Sequence, residues 1–103
     1  MRPLTPFAAD VLDVVEAIPP ARVLSYGDVA ELLGAGGPRA VGAVLSRYGG
    51  GVPWWRVLRA DGTPPPQHAA EALARYRAEG TPLRGGRVDM ARARWDGGAV
   101  GTL

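Results

Sequence analysis

Residues 52–57 read Val-Pro-Trp-Trp-Arg-Val, and two adjacent indoles held behind a proline restrict the fold more than any other stretch. Each indole removes roughly 200 Å² from water when covered. A pair of them on a loop must therefore close a core, line a pocket, or divide those tasks. Trp55 is assigned to the core and Trp54 to a pocket wall.

Composition narrows the classes open to such a chain. At 103 residues, 47% of them hydrophobic, a single domain is expected over residues 1–103, with a core from about 5 to 95 and a flexible tail at 96–103. No apolar run approaches the ~20 residues of a membrane span, so no membrane partner is expected. The start, Met1-Arg2-Pro3-Leu4, lacks the apolar run of a secretory signal, which makes cytoplasmic localisation the expectation. There is no cysteine, hence no disulfide, thiolate nucleophile or cysteine metal site. With one histidine, His68, neither a zinc site nor any other cofactor is expected. The net charge of +2 is too small to establish nucleic-acid binding. Every basic residue is arginine, and with many Ala, Gly and Pro this reads as the composition of a G+C-rich genome. Placement of the arginines matters more than their number.

Local signals outline the elements. Thr5 is a good N-cap and Pro6 suits the first helical position. Phe7, Val11, Val14, Val15 and Ile18 then recur at helical spacing until Pro19-Pro20 stops the run. Ser25 with Asp28 three residues on is a capping box, Val29, Leu32 and Leu33 supply a buried stripe, and Gly34 is a natural terminator. After Ala35-Gly36-Gly37, Pro38 starts a further helix from Arg39 to about Tyr48. Two short helices across a glycine turn form either a helix-turn-helix or a plain helical hairpin that binds nothing.

The second of these helices is asymmetric. Val41, Val44 and Leu45 mark one face, while Ala40, Gly42, Ala43 and Ser46 leave the other bare between Arg39 and Arg47. A glycine in mid-helix costs about 0.5–1 kcal/mol relative to alanine. A bare face flanked by arginines suits close approach to a phosphate backbone, whereas a major-groove reader needs long polar side chains to reach base edges. Beyond the tryptophans, Val57-Leu58-Arg59 reads as extended and Asp61-Gly62 as a turn, with Thr63-Pro64-Pro65-Pro66 a stiff loop. A helix follows from about Gln67 to Glu79 on a face of Ala70, Leu73, Ala74 and Tyr76. Residues 83–88 read as a tight turn and Asp89–Trp95 as a strand or a loose helix. Arg84, Arg87, Arg92 and Arg94 form either a basic wing or a solvated tail.

Taken in order, Ile18-Pro19, Val23-Leu24-Ser25-Tyr26-Gly27-Asp28-Val29-Ala30, Arg39-Ala40-Val41-Gly42 and Pro53-Trp54-Trp55-Arg56-Val57 resemble the DNA-binding domain of the O6-alkylguanine-DNA alkyltransferases. The similarity spans about residues 7 to 80. In that family the last block carries an alkyl-accepting cysteine followed by histidine. Trp54 stands at the cysteine position, which is similar to the alkyltransferase-like proteins, and Trp55 at the histidine position. The resemblance implies a mainly α, small winged helix-turn-helix fold. It also implies non-enzymatic recognition of O6-alkylguanine in double-stranded DNA by nucleotide flipping, by a monomer that hands the lesion to nucleotide excision repair proteins.

Residue by residue, the resemblance makes Arg39 the arginine finger that fills the vacated stack and Tyr26 the residue that crowds the adjacent phosphate. Trp54, Tyr26 and Arg56 become the lesion pocket, with Arg56 either anchoring the loop or facing the base edge. Ser25, Ala40, Gly42, Ala43 and Arg47 become backbone contacts. Dealkylation needs an activated sulfur nucleophile, and an indole is none. Glu79, where the family has its relay glutamate, is therefore read as structural, a contact at the end of its helix. His68 is read as a surface residue. The competing reading is a helix-turn-helix transcription regulator that binds undamaged DNA; an enzyme of another type lacks a catalytic pair.

Overall fold

The helices begin and end at their capping residues. The chain was analysed as a computed structural model, which describes residues 4–97. Helix α1 (Pro6–Ala17) opens on Thr5, whose hydroxyl accepts from the Ala8 N–H at 3.1 Å. Helix α2 (Tyr26–Leu33) opens on a complete capping box: the Asp28 N–H donates to the Ser25 hydroxyl at 3.0 Å, and the Ser25 N–H donates to the Asp28 carboxylate at 2.9 Å. Gly34, at φ 66°, closes it in the left-handed conformation. A short turn leads to α3 (Pro38–Tyr48), and α1, α2 and α3 pack on one another as a helix-turn-helix with its supporting helix.

The remainder is built from short pieces. Two 3₁₀ turns, Gly49–Gly51 and Trp54–Arg56, carry the chain past the tryptophans, and a third, Pro66–His68, leads into α4 (Ala69–Glu79). Strand β1 (Leu24–Ser25) pairs in parallel with β2 (Val57–Leu58), Leu24 opposite Val57 and Ser25 opposite Leu58. An antiparallel hairpin, β3 (Leu83–Arg84) with β4 (Arg87–Val88), and the single turn α5 (Met90–Ala93) complete the order. Val23 then bridges to Arg94. The chain is mainly helical, with the hairpin in the place of a wing. Among the described residues no helix is long and apolar enough to cross a membrane.

The β1–β2 ladder is the seam between two apolar clusters, because successive residues of a strand face opposite ways. Leu24 and Val57 join Val11, Val15, Val29 and Val41 on one side. Val23 and Leu58 join Ala72, Tyr76, Val88 and Ala93 on the other.

Several expectations need correction. Leu32 is 40% exposed, and Ala30 takes its place in the buried stripe of α2. Helix α4 buries Ala72 and Tyr76 and half-buries Leu73, while Ala70 and Ala74 face solvent. That helix winds around Tyr76, whose ring is fully buried, so the larger side chain set the buried face. Residues 83–88 are a two-stranded hairpin, and 90–93 a helical turn. Of the tail read as frayed, Gly97 is buried against Leu32; residues 98–103 lie outside the described residues.

The 59–63 turn is pinned to the hairpin chiefly at Gly62. Gly62 has φ 88°, and a Cβ there would run into the Val88 carbonyl oxygen. Its own carbonyl accepts from the Val88 N–H at 2.8 Å. Gly85, at φ 64°, has nothing within 4 Å of a Cβ. Gly62→Ala is expected to destabilise the fold by more than about 2 kcal/mol, and Gly85→Ala by about 1 kcal/mol, its backbone strain alone. Urea unfolding midpoints of the two variants measure the difference.

Candidate nucleic-acid interface

A cleft of about 490 Å³ lies between α3 and the segment that enters α4, within the roughly 300–1,000 Å³ of small-ligand sites. Tyr26, Gly42, Leu45 and Ser46 line it from the helix-turn-helix. Trp54 forms a wall, and Pro65, Pro66, Gln67, His68 and Glu71 close the far side. The His68 ring lies 5.5 Å from the Trp54 ring, tilted by 57°. His68, read as a mere surface residue, is exposed yet part of the cleft. No local signal in the sequence marked it, because its contact with Trp54 is made only by the folded loop.

Trp54 is braced from behind. Trp55 meets it edge-on at 5.7 Å and 88°, a favoured aromatic geometry. The Arg75 guanidinium sits 4.4 Å from the centre of the Trp55 ring and that of Arg56 5.5 Å, both within cation–π range. Trp55 is half-buried against the second cluster rather than enclosed in it. Its Nε1–H donates to Glu79 Oε1 at 2.9 Å, and the Tyr76 hydroxyl donates to its carbonyl at 2.6 Å. Burial pushes the Tyr76 hydroxyl well above its ordinary pKa, so it serves as a permanent donor.

Arg56 lies behind the cleft wall, outside the lining. Its Nε donates to both Glu79 oxygens at 3.1 and 3.2 Å, its second terminal nitrogen pairs with Oε1 at 2.5 Å, and the other donates to the Ile18 carbonyl at 2.8 Å. Of the two roles considered for it, the geometry matches loop anchoring. Glu79 also accepts from the Ala21 N–H at 3.2 Å. Its carboxylate therefore joins the α1–β1 connection, the tryptophan loop and α4, well beyond a contact at its own helix end. Burial alone would raise its pKa, but the hydrogen bonds from Arg56, Trp55 and Ala21 prevail and hold it below the ordinary 4.5.

The residues assigned to the DNA side fall into two groups. Arg39, Ala43 and Arg47 are exposed on α3, and Ala40 and Gly42 are half-buried. Among the described residues Arg39 forms no ion pair. A Cβ on Gly42 would meet two ring carbons of Tyr26 at 3.9 Å, an ordinary contact. Nothing inside the protein thus demands glycine there, and the position lines the cleft. Ser25 differs, being 4% exposed with its hydroxyl committed to the α2 cap. Of the C-terminal arginines, Arg94 pairs with Asp28 at 3.1 Å, and the Arg92 carbonyl accepts from Arg22 at 2.8 Å. Among the described residues no group of three or more His, Asp or Glu is placed to hold a metal ion.

A helix-turn-helix with a bare recognition face beside an aromatic cleft defines a nucleic-acid-binding domain. Residues 6–81 match the family described as 6-O-methylguanine DNA methyltransferase, DNA binding domain, and the chain belongs to that family. It is 43% identical over 101 residues to the DNA base-flipping protein of Escherichia coli (strain K12), covering 87% of this chain and 74% of that protein. The Shigella flexneri protein of the same name matches equally. Among solved structures, S. pombe Atl1 in complex with damaged DNA containing O6-carboxymethylguanine superposes with a TM-score of 0.79 at 23% identity, covering 92% of this chain and 99% of that one. An S. pombe ATL–DNA complex gives 0.77 at 24%, with the same coverage. At these identities the two structures establish the fold.

Because the folded pKa of Glu79 lies below the unfolded one, its contribution to stability is complete above pH 4.5 and is lost as pH falls through the lowered folded value. Glu79→Gln is expected to cost about 2 kcal/mol at pH 7. The gap to wild type should narrow progressively below pH 4.5, as thermal unfolding across pH 3–7 would record.

Proposed function

We propose that the protein recognises O6-alkylguanine in duplex DNA by flipping the damaged nucleotide into the Trp54 cleft, without repairing it. The observation that carries this reading is the aromatic-walled cleft opening beside a bare helix face. Flipping costs a few kcal/mol, least where the pair is already weakened by damage. The Arg39 guanidinium, with no ion pair among the described residues, can enter the vacated stack, since its plane both stacks and hydrogen-bonds. Tyr26, on the cleft wall, crowds the phosphate of the departing nucleotide, and the bare position at Gly42 admits the backbone. Trp54 then offers its ring to the alkylated purine.

No alkyl group is transferred in this reading. The chain has no cysteine, and both tryptophans offer only a weakly acidic N–H donor. At Trp55 that donor is already committed to Glu79, and an indole has no basic nitrogen that could take a proton from a nucleophile at position 54. The relatives' names, a base-flipping protein and an ATL bound to damaged DNA, fit the same function. Delivery of the held lesion to nucleotide excision repair proteins, in the cytoplasm or nucleoid, completes the proposal.

The deciding experiment titrates one duplex carrying guanine and then O6-methylguanine, at fixed salt because affinity depends steeply on it. Lesion-selective binding is expected; equal affinities would favour a transcription regulator. Arg39→Ala and Tyr26→Ala should each weaken lesion binding at least tenfold, about 1.4 kcal/mol. Trp54→Ala should narrow the preference by about the 1–3 kcal/mol of one stacked base. Unchanged binding by Arg39→Ala would remove the flipping step. Trp54→Cys is expected to remain a poor methyl acceptor, because Trp55 supplies no base to activate the thiol; rapid transfer of label from methylated DNA to that variant would refute this.

A further inference from the structure

We infer that Arg59 is a phosphate-binding residue that acts with Tyr26 on the backbone of the displaced nucleotide, an inference that rests on the flipping reading above. The parallel ladder sets Ser25 opposite Leu58. The next residue on each side is Tyr26 and Arg59, so the pairing delivers a cleft-lining phenol and a guanidinium to the same end of the seam. Tyr26 lies half-buried on the cleft wall and Arg59 is exposed. The Arg59 charge reaches the Tyr26 hydroxyl: burial raises the pKa of that phenol and Arg59 works against the rise.

The backbone at Arg59 is held rigidly. Its N–H donates to the Thr63 carbonyl at 3.2 Å, and its carbonyl accepts from Gly62 at 2.9 Å. Gly62 is in turn fixed to the hairpin through Val88. The guanidinium itself stays available. Among the described residues no carboxylate forms an ion pair with it. Asp61, the carboxylate in its field, is engaged by the Thr63 N–H at 3.0 Å and the Thr63 hydroxyl at 2.7 Å. A cation on a rigid turn at the Tyr26 end of the seam, with no ion pair among the described residues, can take an anion from outside.

A phosphodiester is such an anion. A phenolic O–H and a forked guanidinium side by side donate to separate oxygens of one phosphate, and such contacts fix register on a duplex without reading sequence. The sequence could not single out Arg59, which lies 33 positions from Tyr26 and is joined to it only by the parallel pairing.

The test uses the full chain and the guanine and O6-methylguanine duplexes, titrated over a series of salt concentrations. Arg59→Gln should lower the slope of log affinity against log salt by about 1 and weaken lesion binding at least fivefold at low salt. Its thermal unfolding should be unchanged, because the side chain is exposed. Arg59→Lys should recover the slope and only part of the affinity. Tyr26→Phe should cost less in the Arg59→Gln background than in wild type, since the two groups share one phosphate. An unchanged slope in Arg59→Gln, or strictly additive effects with Tyr26→Phe, overturns the inference. If wild type binds both duplexes equally, the flipping reading itself falls, and with it the displaced nucleotide as the partner of Arg59. If wild type discriminates while Arg59→Gln behaves like it, only Arg59 is wrongly placed.

Discussion

A carboxylate with 13% of its side chain exposed must find strong partners or lose its charge, and Glu79 finds them on the segments that build the cleft. It takes the Trp55 indole N–H, the Arg56 fork and the Ala21 amide. Arg56 passes the constraint on to the Ile18 carbonyl at the end of α1. Trp55, fixed by this bond and covered by Arg75, presents its ring to Trp54 at a right angle. The wall of the cleft is thus rigid because of charges behind it, none of which lines it. Glu79 is the strut behind the cleft wall.

The second constraint is the two-residue parallel ladder. Parallel strands need a long crossover, and here α2 and α3 supply it. The shortest sheet possible thereby divides the two apolar clusters and brings the entrance of α2 against the segment that leaves the tryptophans. Both cleft walls, Tyr26 on one side and Trp54 on the other, hang from this seam. Short hydrogen-bonded contacts between distant segments do here what a larger sheet does elsewhere.

What the sequence disclosed follows from range. Caps act over three or four residues, so Thr5, the Ser25–Asp28 box and Gly34 located the helix ends. Periodicity found the faces of α1 and α3, where aliphatic residues alternate with polar ones. On α4 it placed Leu73 and Tyr76 rightly but Ala70 and Ala74 wrongly, because alanines carry little contrast and Tyr76 decided the buried face. The ladder and the ion pair of Arg94 with Asp28 depend on partners far along the chain, and no local rule reaches them. In the site, the sequence placed Trp55 in the core and Trp54 on a pocket wall; both are half-buried against the second cluster, and the bond from Trp55 to Glu79 lies beyond what local pattern reaches. The place of His68 in the cleft was not legible either, because only the folded loop brings it to Trp54.

Ala21 is the one residue other than glycine with positive φ, 70°, among those described. An alanine in that conformation carries roughly 1–2 kcal/mol of steric strain, and its amide is held by Glu79 across 58 positions of sequence. Residues 21 and 79 therefore form an epistatic pair. A chain that lost the acid would release the constrained turn between α1 and β1, and glycine at position 21 would become the companion change best able to absorb the loss.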